Sequence, residues 1–385
     1  MAVCPEPSSQ DGIRHPASIM NTVALVLEER GRPPALRELR LDAPGDGEVL
    51  VRVAAAGLCH SDLSVIDGSR PRPMPIALGH EVAGEVIALG AGVERLAVGD
   101  HVVATFVPSC GACGPCHQGH PALCEPGAAA NTAGTLLSGE RRLSAGAEPV
   151  HHHLGVSGFA DHAVVDQHSL VSIDPELPWD LAALFGCAVL TGVGAVVNAA
   201  RVSPGQSLAI FGLGGVGLAA LLGGLAAGAW PIVVVDRVPE KLALATDLGA
   251  AHALAADESV SGQIRQLTGG GVEHALETVG NADVLAEAYR STRRGGTTTT
   301  VGLPHPDAEL RLPAVTLTAE ERRLQGSYLG SCVPSRDIPR FIALHRAGKL
   351  PVERLLTHRL RQDELVAGFD RLSRSVGVRQ VVIFD

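Results

Sequence analysis

Ser207-Leu-Ala-Ile-Phe-Gly-Leu-Gly-Gly-Val-Gly-Leu-Ala-Ala-Leu-Leu-Gly-Gly-Leu-Ala-Ala227 is the stretch that decides the fold. Ser207 to Phe211 reads as a short buried strand, and Leu218 to Ala227 as a helical run. Between them lie Gly212, Gly214, Gly215, Val216 and Gly217. The missing side chains let backbone amides approach a pyrophosphate at the N-terminus of the helix. The next apolar run, Ile232-Val-Val-Val-Asp236, ends on a carboxylate about 20 positions past the loop, where it can accept hydrogen bonds from an adenosine ribose. Asp236 would repel a 2′-phosphate, so the expected dinucleotide is NAD rather than NADP.

Outward from this unit, Pro231 to Val235, Ala275 to Glu277 and Thr298 to Val301 read as further short strands. They alternate with Ala/Leu-rich helical stretches from about Leu181 onward. Such alternation predicts an α/β architecture, a doubly wound parallel sheet of the Rossmann type. Toward the N-terminus the pattern changes. Val49-Leu-Val-Arg-Val53 and Glu81-Val-Ala-Gly-Glu-Val-Ile87 are β-branched runs punctuated by glycine and proline, which predicts a mostly β domain. The tail from Leu329 ends in a β-like run, Gln380 to Phe384, expected to return to that first domain. The predicted division is a flexible extension over 1–20, the β domain over 21–188, the dinucleotide domain over 189–328 and the return over 329–385.

A chain of 385 residues, 46% of them hydrophobic and only 3% aromatic, suits two closely packed α/β-type cores. Its formal charge of −10 and the lack of any Lys/Arg block offer nucleic-acid phosphates no surface. Residues 1–20 hold no continuous apolar segment of the kind a secretory signal needs. The apolar stretch Leu208 to Ala227 is interrupted by glycines, which argues against a membrane span. The expectation is a soluble cytoplasmic protein with neither nucleic acid nor membrane as partner.

Eight cysteines could build a disulfide framework in a small secreted domain, but here four of them fall in Cys110-Gly-Ala-Cys113-Gly-Pro-Cys116 and Cys124. Four thiolates in one loop predict a closed tetrahedral zinc site with a structural role. Cys59 in Cys59-His-Ser-Asp62, His80 in Gly79-His-Glu81 and Cys187 in Gly186-Cys187 are separately no more than a buried cysteine or a core histidine.

Taken together, these motifs resemble the zinc-dependent medium-chain alcohol dehydrogenases. The likeness runs from about Thr22 to the C-terminus. It also includes His152-His-Leu-Gly155 with Ser157 and Phe159, Thr191-Gly192, the loop from Phe211 to Gly217, and Val378-Arg379. It implies that the β domain is GroES-like and catalytic, and that Cys59, His80 and Cys187, backed by Glu81, hold a second zinc with a position open to substrate. Two zinc ions per chain and NAD are then the expected cofactors. Such an ion acts as a Lewis acid that lowers the pKa of an alcohol hydroxyl, which favours hydride transfer to nicotinamide.

The same resemblance assigns Ser61 to take the hydroxyl proton and Asp62 to orient His80. It pairs Glu81 with Arg379, and sets His60 and Arg379 at the pyrophosphate, Lys241 at the adenosine ribose, and Val301 and Gly302 beside the nicotinamide. Phe106, Leu154, Leu303 and Tyr328, with Ser61, would form an apolar pocket for a small alcohol or aldehyde. The segment between Cys124 and Phe159 resembles the longer, dimeric branch, which implies a homodimer. His151-His-His153 is read as a polar loop, because its counterpart in relatives is not a zinc site.

Two departures from the family stand out. Relatives that relay the proton end it on a histidine five positions after the first zinc cysteine, and here that position is Ser64. Glutathione-using formaldehyde dehydrogenases carry an arginine four positions after the last structural cysteine, and here that position is Ala128. Two alternatives therefore stand beside the alcohol dehydrogenase reading: a dehydrogenase of another thiol adduct, of mycothiol type, and a cofactor-binding relative that has lost catalysis.

Overall fold

Strand Leu208–Phe211 enters the glycine loop and helix Gly215–Ala226 leaves it in a computed structural model that describes residues 19–384. The helix starts three residues earlier than its apolar run suggests. Gly214 is still extended, so the amides of Gly215 to Gly217 form the unpaired first turn rather than an irregular loop. Residues 1–18 of the expected extension, Cys4 among them, lie outside the described residues. Met20, the last residue assigned to that extension, already begins the strand Met20–Leu27.

The dinucleotide half is one parallel sheet of six strands. In spatial order they are His252–Ala255, Ile232–Asp236, Leu208–Phe211, Val272–Glu277, Thr292–Thr300 and Arg323–Gly326. With the strand leading into the loop as the first, this is the order 3-2-1-4-5-6, and its reversal lies beside the glycine loop, where open sheets of this kind bind ligands. The interior of the sheet is made from small residues and aliphatics, including Ala209, Ile210, Val233, Val234 and Ala275, all under 1% exposed. That choice lets helices pack closely on both faces and accounts for the scarcity of aromatics.

The other half is β-rich, as expected. Met20–Leu27, Ala35–Leu41, Leu143–Ala145, Glu148–His152 and Ile76–Ala77 close into a small barrel. A second sheet centres on Glu48–Gly57, paired antiparallel with Glu81–Leu89 and with the terminal strand Arg379–Ile383. The C-terminal run thus does return, and it brings Arg379 from the far end of the sequence into the middle of this half. Its parallel neighbour Leu356–Leu360 completes the edge.

Among the described residues no single helix is long and apolar enough to cross a membrane. The bent pair Trp179–Gly186 and Ala188–Ala200 is apolar because it joins the two halves, with Ala182 to Leu190 fully or nearly buried.

Candidate active site

Three loop ends of the β-rich half converge on one buried nest. Cys59 is the residue before helix His60–Ile66, His80 precedes strand Glu81–Leu89, and Cys187 sits at the bend between the two helices of the joining pair. One ligand atom from each of Cys59, His80, Glu81 and Cys187 falls within 4.8 Å of all the others.

This donor set fits a zinc ion. His80 Nε2 and Glu81 Oε1 stand 3.9 Å apart, and both are buried without a hydrogen-bond partner. Polar atoms left so would cost free energy unless something between them completes their bonding. The thiols carry the same message. The hydrogen bond from Cys187 holds the Cys59 thiol well below its usual range, and the same contact with Cys59 pushes Cys187 well above. Burial drives the Glu81 carboxyl up to about 8, even with the Arg379 guanidinium against it. A dication would relieve all three. The predicted Glu81–Arg379 pair is thus present, deeply buried, and spans 298 positions of sequence.

Around the nest, Asp62 Oδ2 lies 3.1 Å from His80 Nδ1, while Asp62 Oδ1 accepts the Gly79 amide at 3.0 Å. Gly79 has φ +98, and a side chain there would run into the backbone of Phe159. Burial works to keep His80 neutral, but the charge and hydrogen bond of Asp62 outweigh it and raise its pKa well above the ordinary value. Ser61 Oγ, half-buried, lies 3.8 Å from Cys59 Sγ. Ser64, by contrast, turns back along its helix and donates to the His60 carbonyl at 2.9 Å.

The reading of His151-His-His153 as a polar loop is overturned. His152 ends a barrel strand, and both it and His153 are 1% exposed. His153 Nε2 stands 3.3 Å from Asp62 Oδ1, so His153 helps to enclose the carboxylate that orients His80. Three successive histidines look solvated in sequence; alternation along the strand and the turn that follows bury two of them.

The four-cysteine loop converges as well, with Cys110, Cys113, Cys116 and Cys124 offering sulfurs within 4.8 Å of one another. Backbone amides of Ala112 and Cys113 point at Cys110 Sγ, and those of Cys110 and Gly127 at Cys124 Sγ. Amide donors aimed at sulfur stabilise thiolates, as a bound cation requires. Among the described residues every cysteine is free of disulfide bonding.

At the glycine loop, a side chain on Gly217 would collide with the Gly212 carbonyl, and one on Gly215 with Arg379, while Gly214 faces open space. The loop is therefore a cradle open on one side, which fits a dinucleotide pyrophosphate. Asp236 ends its strand at the mouth, where Oδ2 accepts the Leu213 amide at 2.6 Å and Oδ1 the Val238 amide at 2.9 Å. The half-buried Lys241 lies within electrostatic reach of Asp236, and exposed His60 within reach of both Lys241 and Arg379. Thr278, which no sequence motif marks, donates to the carbonyls of Phe211 and Gly212 at 3.0 Å and ties the loop down.

A cleft of about 450 Å³ opens beside this arrangement. Leu303 and Tyr328, expected at the substrate pocket, line it together with Val301 and Gly302, expected beside the nicotinamide, and with His120 and Leu123 of the four-cysteine loop. Leu303 is half-exposed rather than core. Phe106 lies one ring deeper, 5.6 Å from Tyr328 and 5.5 Å from His80 between ring centres, and so connects the cleft wall to the nest. Leu154 shares the buried cluster of Phe106 and does not reach the cleft lining. A second indentation of about 550 Å³, beside helix Ala282–Ser291, holds charges of both signs and no ligand set.

Comparison with known proteins agrees with this geometry. Residues 45–175 match the alcohol dehydrogenase GroES-like domain family and residues 215–346 the zinc-binding dehydrogenase family. The chain is 41% identical over 365 residues to a geraniol dehydrogenase of Castellaniella defragrans, covering 94% of this chain and 97% of that one. It superposes with a TM-score of 0.92, at 37% identity, on an alcohol dehydrogenase zinc-binding domain protein of Burkholderia ambifaria, covering 96% and 100% of the two chains. With benzyl alcohol dehydrogenase of Acinetobacter calcoaceticus the TM-score is 0.91 at 32% identity, covering 95% and 100%.

Proposed function

The chain belongs to the zinc-dependent medium-chain alcohol dehydrogenase family, and on that premise we propose that it exchanges hydride between an alcohol and NAD, with two zinc ions per chain of unequal role. The observation that carries this reading is the nest of Cys59, His80, Glu81 and Cys187, with its partnerless buried donors, one aromatic ring away from the cleft. When bound there, zinc supplies Lewis-acid chemistry that makes an alcohol hydroxyl easier to deprotonate.

The remaining work falls to the chain. Ser61, beside Cys59, takes the hydroxyl proton. Asp62 fixes the ring of His80, and Arg379 holds Glu81 behind the nest while its stem rests on Gly215. Asp236, with Lys241, receives the adenosine ribose and disfavours a 2′-phosphate. Leu303 and Tyr328 exclude water and pack against the alcohol's apolar part. The Cys110 to Cys124 loop closes over the second zinc and has no position left for substrate.

The catalytically silent alternative gains no support from a ligand set that converges this closely. For the thiol-adduct alternative, Ala128 is exposed on helix Glu125–Ala133 and offers no charge. We further propose a homodimer, for which the free outer edge of strand Arg323–Gly326 is a suitable surface, and a reducing, cytoplasmic setting, which suits free thiols. The test is metal content of the purified protein together with an NAD-linked screen across aliphatic, aromatic and terpenoid alcohols, with and without thiols. Turnover with two zinc ions per chain is expected; one zinc or none, or turnover with NADP only, refutes the reading.

A further inference from the structure

Two arginines stand beside the cleft wall, and among the described residues neither has an ion-pair partner. Helix His60–Ile66 is followed by Asp67-Gly-Ser-Arg70-Pro-Arg72, a turn that leads back to Gly79 and His80. Arg70 Nη2 reaches across to the other half of the molecule and donates to the Pro304 carbonyl at 3.4 Å, and Pro304 lines the cleft beside Leu303. Among the described residues Arg72 donates only to the carbonyl of its own neighbour Pro71, and its buried Nε has no hydrogen-bond partner. Both guanidinium groups act on the Tyr328 phenol, and Arg72 acts also on His153, which packs against His80. They therefore stand behind the cleft wall, Arg70 through Pro304 and both within electrostatic reach of Tyr328.

A chain with ten more acidic than basic residues has carboxylates to spare. Arg142, Arg322, Arg336 and Arg379 each take one. Among the described residues neither Arg70 nor Arg72 does, and no Asp or Glu lines the cleft. Holding two half-buried cations close together costs free energy through mutual repulsion and desolvation. Burial, and then the Arg70 charge, lower the pKa of Arg72. An anion between them would remove that cost, and a planar carboxylate suits the guanidinium fork.

Resting on the alcohol dehydrogenase reading, we propose that Arg70 and Arg72 are specificity-determining residues that bind a carboxylate on the substrate's tail, so that the preferred substrates are hydroxy acids whose alcohol and carboxylate lie at opposite ends of an apolar spacer. The apolar spacer lies along Leu303 and Tyr328, the alcohol end faces the nest, and the carboxylate meets the two arginines beside Pro304.

The experiment compares kcat/KM with NAD for matched pairs: ω-hydroxy acids of increasing length against the 1-alkanols of equal length, and 4-(hydroxymethyl)benzoate against 4-methylbenzyl alcohol. At the length that spans the cleft the carboxylate member is expected to lead by at least about 10-fold, the order of one charge-assisted hydrogen-bonded pair. In the double variant Arg70→Gln, Arg72→Gln that ratio should fall by a similar factor, mainly through KM. Neutral members leading at every length, or a ratio unmoved by the substitutions, would overturn the proposal. Calorimetric titration of octanoate into the zinc-replete enzyme with NADH separates the two levels of argument. If no alcohol of either kind is oxidised, the alcohol dehydrogenase reading fails, while octanoate binding that weakens about 10-fold in the double variant still supports the arginine site, and binding unchanged there rejects it.

Discussion

Asp62 grips both His80 and the turn that presents it: Oδ2 stands 3.1 Å from His80 Nδ1, and Oδ1 accepts the Gly79 amide at 3.0 Å, with both side chains wholly buried. One carboxylate thus faces the ring's Nδ1 with one oxygen and holds the backbone beneath it with the other. Asp62→Asn keeps an acceptor for Gly79 but replaces the anion facing the ring with a neutral amide. Zinc affinity at the nest is expected to fall about 10- to 100-fold, the usual loss when a partner of a ligating histidine is removed. Chelator competition followed by metal analysis checks this, and retention equal to wild type would show that Asp62 serves the fold alone.

The two cysteine clusters should respond differently to loss of one sulfur. Cys187→Ala removes a ligand from the nest, where the remaining groups stay packed in a core, so the protein should stay folded and lose turnover. Cys113→Ala opens a loop held chiefly by its own sulfurs, so stability or solubility should fall first. Thermal melts and activity of both variants, each with zinc analysis, separate the outcomes. Equal loss of stability in the two would contradict the division of roles.

Asp236 does two jobs that a substitution will separate. Its oxygens accept the Leu213 and Val238 amides, which shapes the loop as well as the proposed ribose site. Asp236→Ser removes the repulsion toward a 2′-phosphate, so NADP use should rise relative to NAD. It also leaves one amide poorly satisfied, at a cost of about 1 kcal/mol in stability. The ratio of kcat/KM for the two cofactors and the shift in melting temperature are the measurements; a wild-type preference for NADP would reverse the assignment and turn attention to exposed Arg237.

His152 gives the fold a built-in acid sensitivity. Burial, with the Arg142 and Arg141 charges adding to it, pushes its pKa down to about 3, and its Nε2 accepts the Arg142 amide at 3.1 Å. An unfolded histidine titrates near 6.5. Between these values the unfolded chain binds the proton that the folded one refuses. The stability is thus complete above about pH 6.5 and declines as pH falls toward the folded pKa, by on the order of 3 kcal/mol at pH 4 from this residue. His152→Gln keeps an acceptor and cannot titrate, so its melting temperature relative to wild type should rise steadily from pH 7 to pH 4. A constant difference would show that His152 is not the source.

Local sequence carried the parts of the site that are local in space. The loop from Gly212 to Gly217 and the cysteines from 110 to 124 are each contiguous, and their spacing alone suffices to identify their chemistry. Cys59, His80 and Cys187 were legible only through resemblance, because no spacing rule joins residues brought together by three separate loop ends. The buried His152 and His153 were misread, since their burial depends on a barrel whose five strands are scattered between Met20 and His152. Arg70 and Arg72, flanked by prolines, belong to no motif that marks a site. Only the position of Pro304 and Tyr328, more than 230 residues away, shows that they lie beside a cleft wall.

The exit of the proton is where this chain departs from relatives with a histidine at the fifth position after the first zinc cysteine. Ser64 occupies that place, and its hydroxyl donates to the His60 carbonyl within its own helix. A hydroxyl does not titrate near neutrality, and one committed to a backbone carbonyl is a poor link in a relay. On the proposed reading Ser61, beside Cys59 at 3.8 Å, is the first acceptor, and the proton then leaves through water or another group. Ser61→Ala is expected to lower kcat by at least about 10²-fold, the lower end for a lost proton-transfer group. Ser64→Ala gives up only a bond between turns of one helix and should cost little. Ser64→His places a group titrating near 6.5 at the end of the route, so alcohol oxidation at mildly acidic pH should quicken where proton release limits it. The measurement is kcat against pH for the three variants under saturating NAD. If Ser64→Ala falls as far as Ser61→Ala, Ser64 is an obligatory link and the proposed route is wrong.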